Sequence, residues 1–192
     1  TLSTLSLAKY FKSKLPNATV IIGGIHATSC HQELLSNFSF IDFIVLGEGE
    51  KAFTDYLEQW HQIENKNLID KSIISNIAYL DNDRKIRVTK KDYINLETIK
   101  SYDFKIIPLI DYKKLSKVEA FWIETGRGCV FKCGFCISSK HWGHRTRYFS
   151  AEKIVNDIRQ FYASGITNFK FTHDQFTVNK RKLTEICLAI IE

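Results

Sequence analysis

No methionine occurs among the 192 residues. A complete translation product begins with one and this chain begins at Thr1, so it is expected to be a piece of a longer protein, or a chain whose start was removed. Long apolar runs are missing too. None approaches the roughly 20 residues of a membrane span, and no secretory leader opens the sequence. The expectation is a soluble, cytoplasmic protein. Blocks of like charge are also absent. The net charge is +6, but it is spread along the chain, with no basic helix and no aromatic-basic RNA motif. Nucleic acid therefore has no positive support as a partner, and a solvated basic surface accounts for the charge. Nor do the five cysteines form an even set. A disulfide framework belongs to short secreted chains, which this is not. Cys187 lies in an apolar helix-like run and is expected in the core. Cys30, near a helix start, reads as core or surface filler.

What is present has a clear order. Leu7, Ala8, Phe11 and Leu15 fall at helical spacing over residues 4–15, and Pro16-Asn17 ends that helix. Residues 18–22 form a short apolar, β-branched run ending at Gly23-Gly24, which predicts a buried strand. A helix is expected around residues 30–37 and a second buried strand over 42–46, ending in Gly47-Glu48-Gly49-Glu50. Ala52, Phe53, Tyr56, Leu57 and Trp60 then mark an amphipathic helix. Alternating helices and strands with short connections predict a parallel, doubly wound sheet.

Residues 61–70 are polar and linker-like. Residues 73–80 and 86–89 flank a five-residue loop, which predicts a β-hairpin. Residues 90–118 show no clean period and read as an irregular connector. From Glu119 the pattern resets. Residues 120–125 predict a strand, 126–149 a long loop, and Ser150 the cap of a helix with Ile154, Val155, Ile158, Phe161 and Tyr162 on one face. Gly165 ends that helix. Residues 168–172 predict another strand and 179–191 another helix. Strand–loop–helix–strand–helix is the opening of a β/α barrel.

The long loop carries Gly126-Arg127-Gly128-Cys129-Val130-Phe131-Lys132-Cys133-Gly134-Phe135-Cys136, a C-x3-C-x2-C spacing. Thiolates are the usual ligands of iron–sulfur clusters, normally four to a cluster. Cys129, Cys133 and Cys136 supply three, which leaves one iron open to a reactive ligand, as catalytic zinc sites keep one position open. Gly126, Gly128 and Gly134 allow tight turns that aim N–H groups at sulfur. The loop follows a first barrel strand, at the strand end where such barrels place their chemistry. The alternative is structural zinc with His141 or His144 as fourth ligand, although only one close cysteine pair is present.

C-x3-C-x-aromatic-C after a first strand resembles the radical S-adenosylmethionine (SAM) superfamily, over residues 119–192. The resemblance implies a 4Fe-4S cluster on Cys129, Cys133 and Cys136 whose open iron chelates SAM. It also implies reductive cleavage of SAM to a 5′-deoxyadenosyl radical, an electron donor such as flavodoxin or ferredoxin, and a small-molecule or peptide substrate. Phe135 takes the place of the aromatic beside the adenine, or packs under the loop. Asp174, in Thr172-His173-Asp174-Gln175-Phe176-Thr177, resembles the acidic-aromatic segment at the second strand end. It accepts hydrogen bonds from the SAM amino group or ribose, or else caps a helix. Arg145 and Arg147 at the loop's exit pair with the SAM carboxylate or are solvated. Acid–base roles for His141, His144 and His173 have no support in spacing.

A strand ending in Gly-Gly and a second ending in Gly-Glu-Gly-Glu resemble the later part of cobalamin-binding Rossmann-like domains, over residues 1–60. The resemblance implies that Gly23 and Gly24 let the backbone approach the cobalamin tail. Glu48 and Glu50 are expected to cap the following helix, and His26 is not assigned to cobalt. The expected organisation is α/β: a partial cobalamin-binding domain over 1–60, a linker with a β-hairpin over 61–118, and the first units of a radical SAM barrel over 119–192. The expected activity is that of a cobalamin-dependent radical SAM methyltransferase acting on an unactivated carbon. The alternatives are a cobalamin-domain radical SAM enzyme that rearranges or cyclises its substrate, and a zinc-stabilised binding module without catalysis. Anaerobic purification separates the last from the others: the cluster reading expects iron with acid-labile sulfide, whereas stoichiometric zinc without sulfide would end it.

Overall fold

The computed structural model describes residues 2–65, 68–101 and 120–192. They group into two compact units, Thr1–Ile94 with Phe135–Trp142, and Asn95–Gly134 with Gly143–Glu192. Most of the expected irregular connector lies outside the described residues.

In the first unit, helix α1 (Leu2–Lys14) precedes strand β1 (Ile21–Ile22), which pairs in parallel with β2 (Phe43–Val45). Helices α2 (Ile25–Ser29) and α3 (His31–Asn37) connect them, and α4 (Gly49–Gln62) follows β2. All three residues of β2 are buried. Successive side chains of a strand point to opposite faces. Ile44 accordingly joins Leu5, Ala27, Leu34, Leu35, Ile41 and Ala78 on one face. Phe43 and Val45 join Ala52, Tyr56, Ile74 and Ile77 on the other. A strand covered on both faces needs an unbroken apolar run, which Phe43-Ile44-Val45-Leu46 supplies.

The expected hairpin is present as β3 (Ile77–Leu80) and β4 (Ile86–Val88), joined through residues 81–85. Asp81 organises that loop, accepting from the Asp83 and Lys85 amides and from Arg87 Nε. These bonds hold its carboxyl below the usual range, the Lys85 amide foremost. β3 pairs antiparallel with β2, so the hairpin continues the sheet in the order β1-β2-β3-β4.

Two details of the helices differ from expectation. The α1 residue that reaches the core is Leu5, while Leu7, Phe11 and Leu15 are exposed. Two positions along a helix turn a side chain by about 200°, so the stripe through Leu7 leaves the face that carries Leu5. The helix expected around 30–37 is preceded by a separate turn, α2. The chain breaks helical geometry at Cys30, which is half-buried against the core.

In the second unit, β5 (Phe121–Glu124) pairs in parallel with β8 (Phe169–Thr172), in register from Phe121–Phe169 to Glu124–Thr172. The expected long loop holds two short strands, β6 (Gly126–Arg127) and β7 (Arg147–Tyr148), paired antiparallel. It also holds helix α5 (Ser138–Trp142), whose residues pack with the first unit. Helix α6 (Ala151–Ala163) crosses from β7 to β8, and α7 (Lys180–Ile191) follows β8. Ser150 caps α6 by accepting the Lys153 amide. Gly165, at φ 81°, ends it, with its N–H on the Tyr162 carbonyl.

The buried face of α6 is Ala151, Ile154, Asp157 and Phe161. Tyr162, expected on that face, is 65% exposed. Asp157 is buried on α6 although no apolar pattern marks it, and Lys153 Nζ holds it at 2.7 Å. Cys187 is exposed and not a core residue: Ile186 is the residue of α7 that is buried, and the next position turns about 100° away.

Asn76 pins the first unit's sheet at one corner. It adopts a left-handed φ of 58° and is buried. Its side chain donates to the Asp92 carbonyl at 2.7 Å and accepts the Asp92 amide at 2.6 Å. Its carbonyl accepts the Leu46 amide at the end of β2. Asn76→Ala removes two partly buried hydrogen bonds and places alanine in a region that favours Asn or Gly. The expected loss is about 2–4 kcal/mol of unfolding free energy, read by urea titration.

Candidate functional site

The cysteine loop leaves and re-enters the second unit through a narrow neck. β5 ends at Glu124, and buried Thr125 donates from its amide to the Thr172 carbonyl at 3.1 Å. Gly126 follows. A Cβ placed on it would collide with the Arg147 carbonyl oxygen and lie 2.7 Å from His173 Cε1, so only glycine fits between β7 and the end of β8. Arg127 is buried, and its guanidinium grips Glu124 through Nε at 2.8 Å and Nη2 at 3.2 Å. Gly128 takes a φ of 92°, a conformation that L side chains rarely adopt.

Asp174 Oδ2 accepts the Gly128 amide at 3.0 Å, directly before Cys129. It does not cap α7, where Asn179 performs that task by accepting the Lys182 amide. Tyr148 donates its hydroxyl to the carbonyls of Phe176 at 3.1 Å and Gln175 at 3.3 Å. His173 packs edge-on against Tyr148 with ring centroids 4.7 Å apart. Both of its ring nitrogens are buried, and the Gly128 backbone lies against the imidazole. Burial lowers its pKa below 6.5, with Asp174 and Glu124 pulling the other way. Arg127, Tyr148 and His173 carry this neck, yet no sequence pattern singled out the first two.

All three motif cysteines are free thiols, and none is buried: Cys133 is exposed, Cys129 and Cys136 half-buried. Residues 128–137 form neither helix nor strand. Phe135 is 94% exposed, so it does not pack under the loop. Arg145 is exposed and Arg147 half-buried in β7. Of the two histidines considered for zinc, His141 is buried in α5 and His144 is exposed. Among the described residues no group of three or more His, Cys, Asp or Glu is gathered around a metal position. Thiol donors in this number and spacing suit an iron–sulfur cluster. Assembly of a metal centre characteristically draws such ligands together.

In the first unit, β1 and β2 end on the same edge. Gly23 and Gly24 follow β1. A Cβ on Gly23 would meet only Val45 at 3.5 Å, whereas Gly24 has a φ of 90° with open space beside it. Thr28 ties the two strand ends together. Its hydroxyl donates to the Gly24 carbonyl at 2.9 Å and accepts the Gly47 amide at 3.0 Å. His26 faces a recess lined by Leu5, Ile22, Gly23 and Leu34. Glu48 precedes α4 but makes no side-chain cap; it is buried and accepts the Ile94 amide instead. An edge with a left-handed glycine and open space leaves room for a ligand to approach the backbone closely.

The described residues thus form a Rossmann-like sheet and the opening strands of a β/α barrel, with C-x3-C-x2-C after the first of them. No family model matches the chain. It is 30% identical over 190 residues to an uncharacterized methyltransferase of Pyrococcus horikoshii, covering 96% of this chain and 39% of that protein. It is 27% identical over 186 residues to the anaerobic magnesium-protoporphyrin IX monomethyl ester cyclase of Synechocystis, covering 96% and 36%. The solved structure of OxsB, a cobalamin-dependent SAM radical enzyme with aqua-cobalamin and SAM bound, superposes with a TM-score of 0.82 at 16% identity. That superposition covers 100% of this chain and 27% of OxsB. The chain is thus a partial-length homologue of the cobalamin-dependent radical SAM methyltransferases and related cyclases. It spans less than two fifths of the length of the curated relatives named here.

Two outcomes test the neck. Gly126→Ala forces a backbone oxygen to move and should destabilise the second unit by about 3 kcal/mol, read by thermal or urea unfolding. His173 binds its proton less readily when folded, so the stability it contributes is complete above pH 6.5 and is lost as pH falls through its lowered pKa. Unfolding free energy should therefore fall less between pH 7 and pH 5 in His173→Gln than in the unsubstituted protein.

Proposed function

We propose that the full-length protein is a cobalamin-dependent radical SAM methyltransferase acting on an unactivated carbon of a small-molecule or peptide substrate. The observation that carries this reading is three free, unburied thiols in C-x3-C-x2-C spacing, directly after a strand paired in parallel with the next barrel strand. In this reading Cys129, Cys133 and Cys136 hold a 4Fe-4S cluster as thiolates and leave one iron for SAM. The exposed ring of Phe135 offers its face to the adenine. The Asp174 carboxylate accepts from the SAM amino group or ribose. Gly23 and Gly24 admit the cobalamin tail beside the ends of β1 and β2. When bound, the cluster with SAM supplies radical chemistry, and cobalamin supplies a carrier for the methyl group. A flavodoxin or ferredoxin delivers the electron.

The second reading is radical rearrangement or cyclisation without methyl transfer, favoured by the likeness to the magnesium-protoporphyrin cyclase. The methyltransferase reading stands first because the Pyrococcus relative and several further relatives are methyltransferases.

Product analysis of the full-length protein with SAM, hydroxocobalamin and a low-potential reductant separates the two. Methyl transfer should give both 5′-deoxyadenosine and S-adenosylhomocysteine. 5′-Deoxyadenosine alone would support the cyclase reading instead. Cys129→Ala, Cys133→Ala and Cys136→Ala should each abolish both products and lower bound iron and sulfide. Retention of iron, sulfide and products in all three would refute the assigned ligands.

A further inference from the structure

A single short turn closes the neck of the cysteine loop at both ends. At the entry, Asp174 accepts the Gly128 amide across 46 residues of sequence. At the exit, Tyr148 donates to the carbonyls of residues 175 and 176. Between them, β6 and β7 pair with Gly126 opposite Tyr148 and Arg127 opposite Arg147. His173 fills the inside of the clasp, against Tyr148 and over Gly126. Thr146 Oγ1 adds a long contact of 3.4 Å to the Gly128 carbonyl. Both peptide groups around Gly128 are therefore held one residue before Cys129.

We propose that Asp174 is a positioning residue, whose carboxylate fixes the base of the cysteine loop through the Gly128 amide and so presents Cys129 for cluster assembly. The purpose of this clasp rests on the cluster reading above; its existence rests on the bonds just described. A ligand loop that pivots at its base loses more conformational entropy when a cluster forms than one already held there. Hydrogen bonds that orient metal ligands commonly matter nearly as much as the ligands themselves. The role differs from binding SAM because it needs an acceptor oxygen facing an amide, not a negative charge facing an ammonium group.

The two roles separate by substitution in the full-length protein. Asp174→Ala removes the acceptor, whereas Asp174→Asn keeps one and removes only the charge. Amide hydrogen exchange at Gly128 in the ligand-free protein should be about three- to tenfold faster in Asp174→Ala and near normal in Asp174→Asn. After anaerobic reconstitution, cluster loss under chelator, followed by iron, sulfide and visible absorbance, should rank in the same order. Tyr148→Phe opens the exit without touching the carboxylate, and should also hasten cluster loss. Unchanged Gly128 exchange in Asp174→Ala would overturn the proposal. So would an Asp174→Asn protein that behaves like Asp174→Ala, because charge would then be the requirement. Faster exchange throughout β5 and β8 would mark general unfolding and count equally against it. If the unsubstituted protein assembles no cluster, the proposed function fails, and the exchange comparison still decides the clasp.

Discussion

The Arg147 carbonyl oxygen and the His173 imidazole occupy the space where a side chain on Gly126 would begin. This contact draws three separated segments together: the exit of β5, the return strand β7, and the end of β8. The Asp174–Gly128 bond, the Tyr148 hydroxyl bonds and the β6–β7 pairing all depend on that proximity. A backbone oxygen cannot rotate aside as a side chain can, so the constraint falls wholly on residue 126. Residues 128–137, which carry the three cysteines, form neither helix nor strand, while the base of their loop is closed.

The first unit follows a different logic. Its centre is β2, whose residues meet apolar partners on both sides of the sheet. Burial of large aliphatic and aromatic side chains contributes about 1.5–3 kcal/mol each. Chain polarity then places the ends of β1 and β2 on one edge, where Thr28 bridges the Gly24 carbonyl and the Gly47 amide. That edge is built from backbone groups and one hydroxyl. Such a surface suits a ligand read by shape and close approach more than by charge.

Much of this was legible in the chain. Segments 18–22 and 42–46 are mostly apolar and end at glycine, 120–125 and 168–172 mix aromatic with polar residues, and each contains an observed strand. Ser150 and Gly165 mark the two ends of α6 because their cap chemistry is local. Less legible were helix faces, where one position turns a side chain by about 100°: Tyr162 and Cys187 are exposed, whereas Asp157 and Ile186 are buried on their helices. Asp157 escaped notice because a charged residue joins an apolar face only when a partner is at hand, and Lys153 is that partner. Glu48 misled for the opposite reason: its position is that of a helix cap, but its side chain reaches a backbone amide 46 residues further on.

The cysteine spacing is the feature that the sequence by itself determined. C-x3-C-x2-C is a covalent pattern of three thiols, and its chemistry depends on residue type and separation, both of which are written in the chain. Tertiary structure alone decided what stands beside that pattern. Asp174 and Tyr148 meet the neck of the loop only because β8 pairs with β5, and Gly126 is required only because β7 returns across it. Those contacts join residues tens of positions apart, whose proximity follows from strand pairing and not from any local preference.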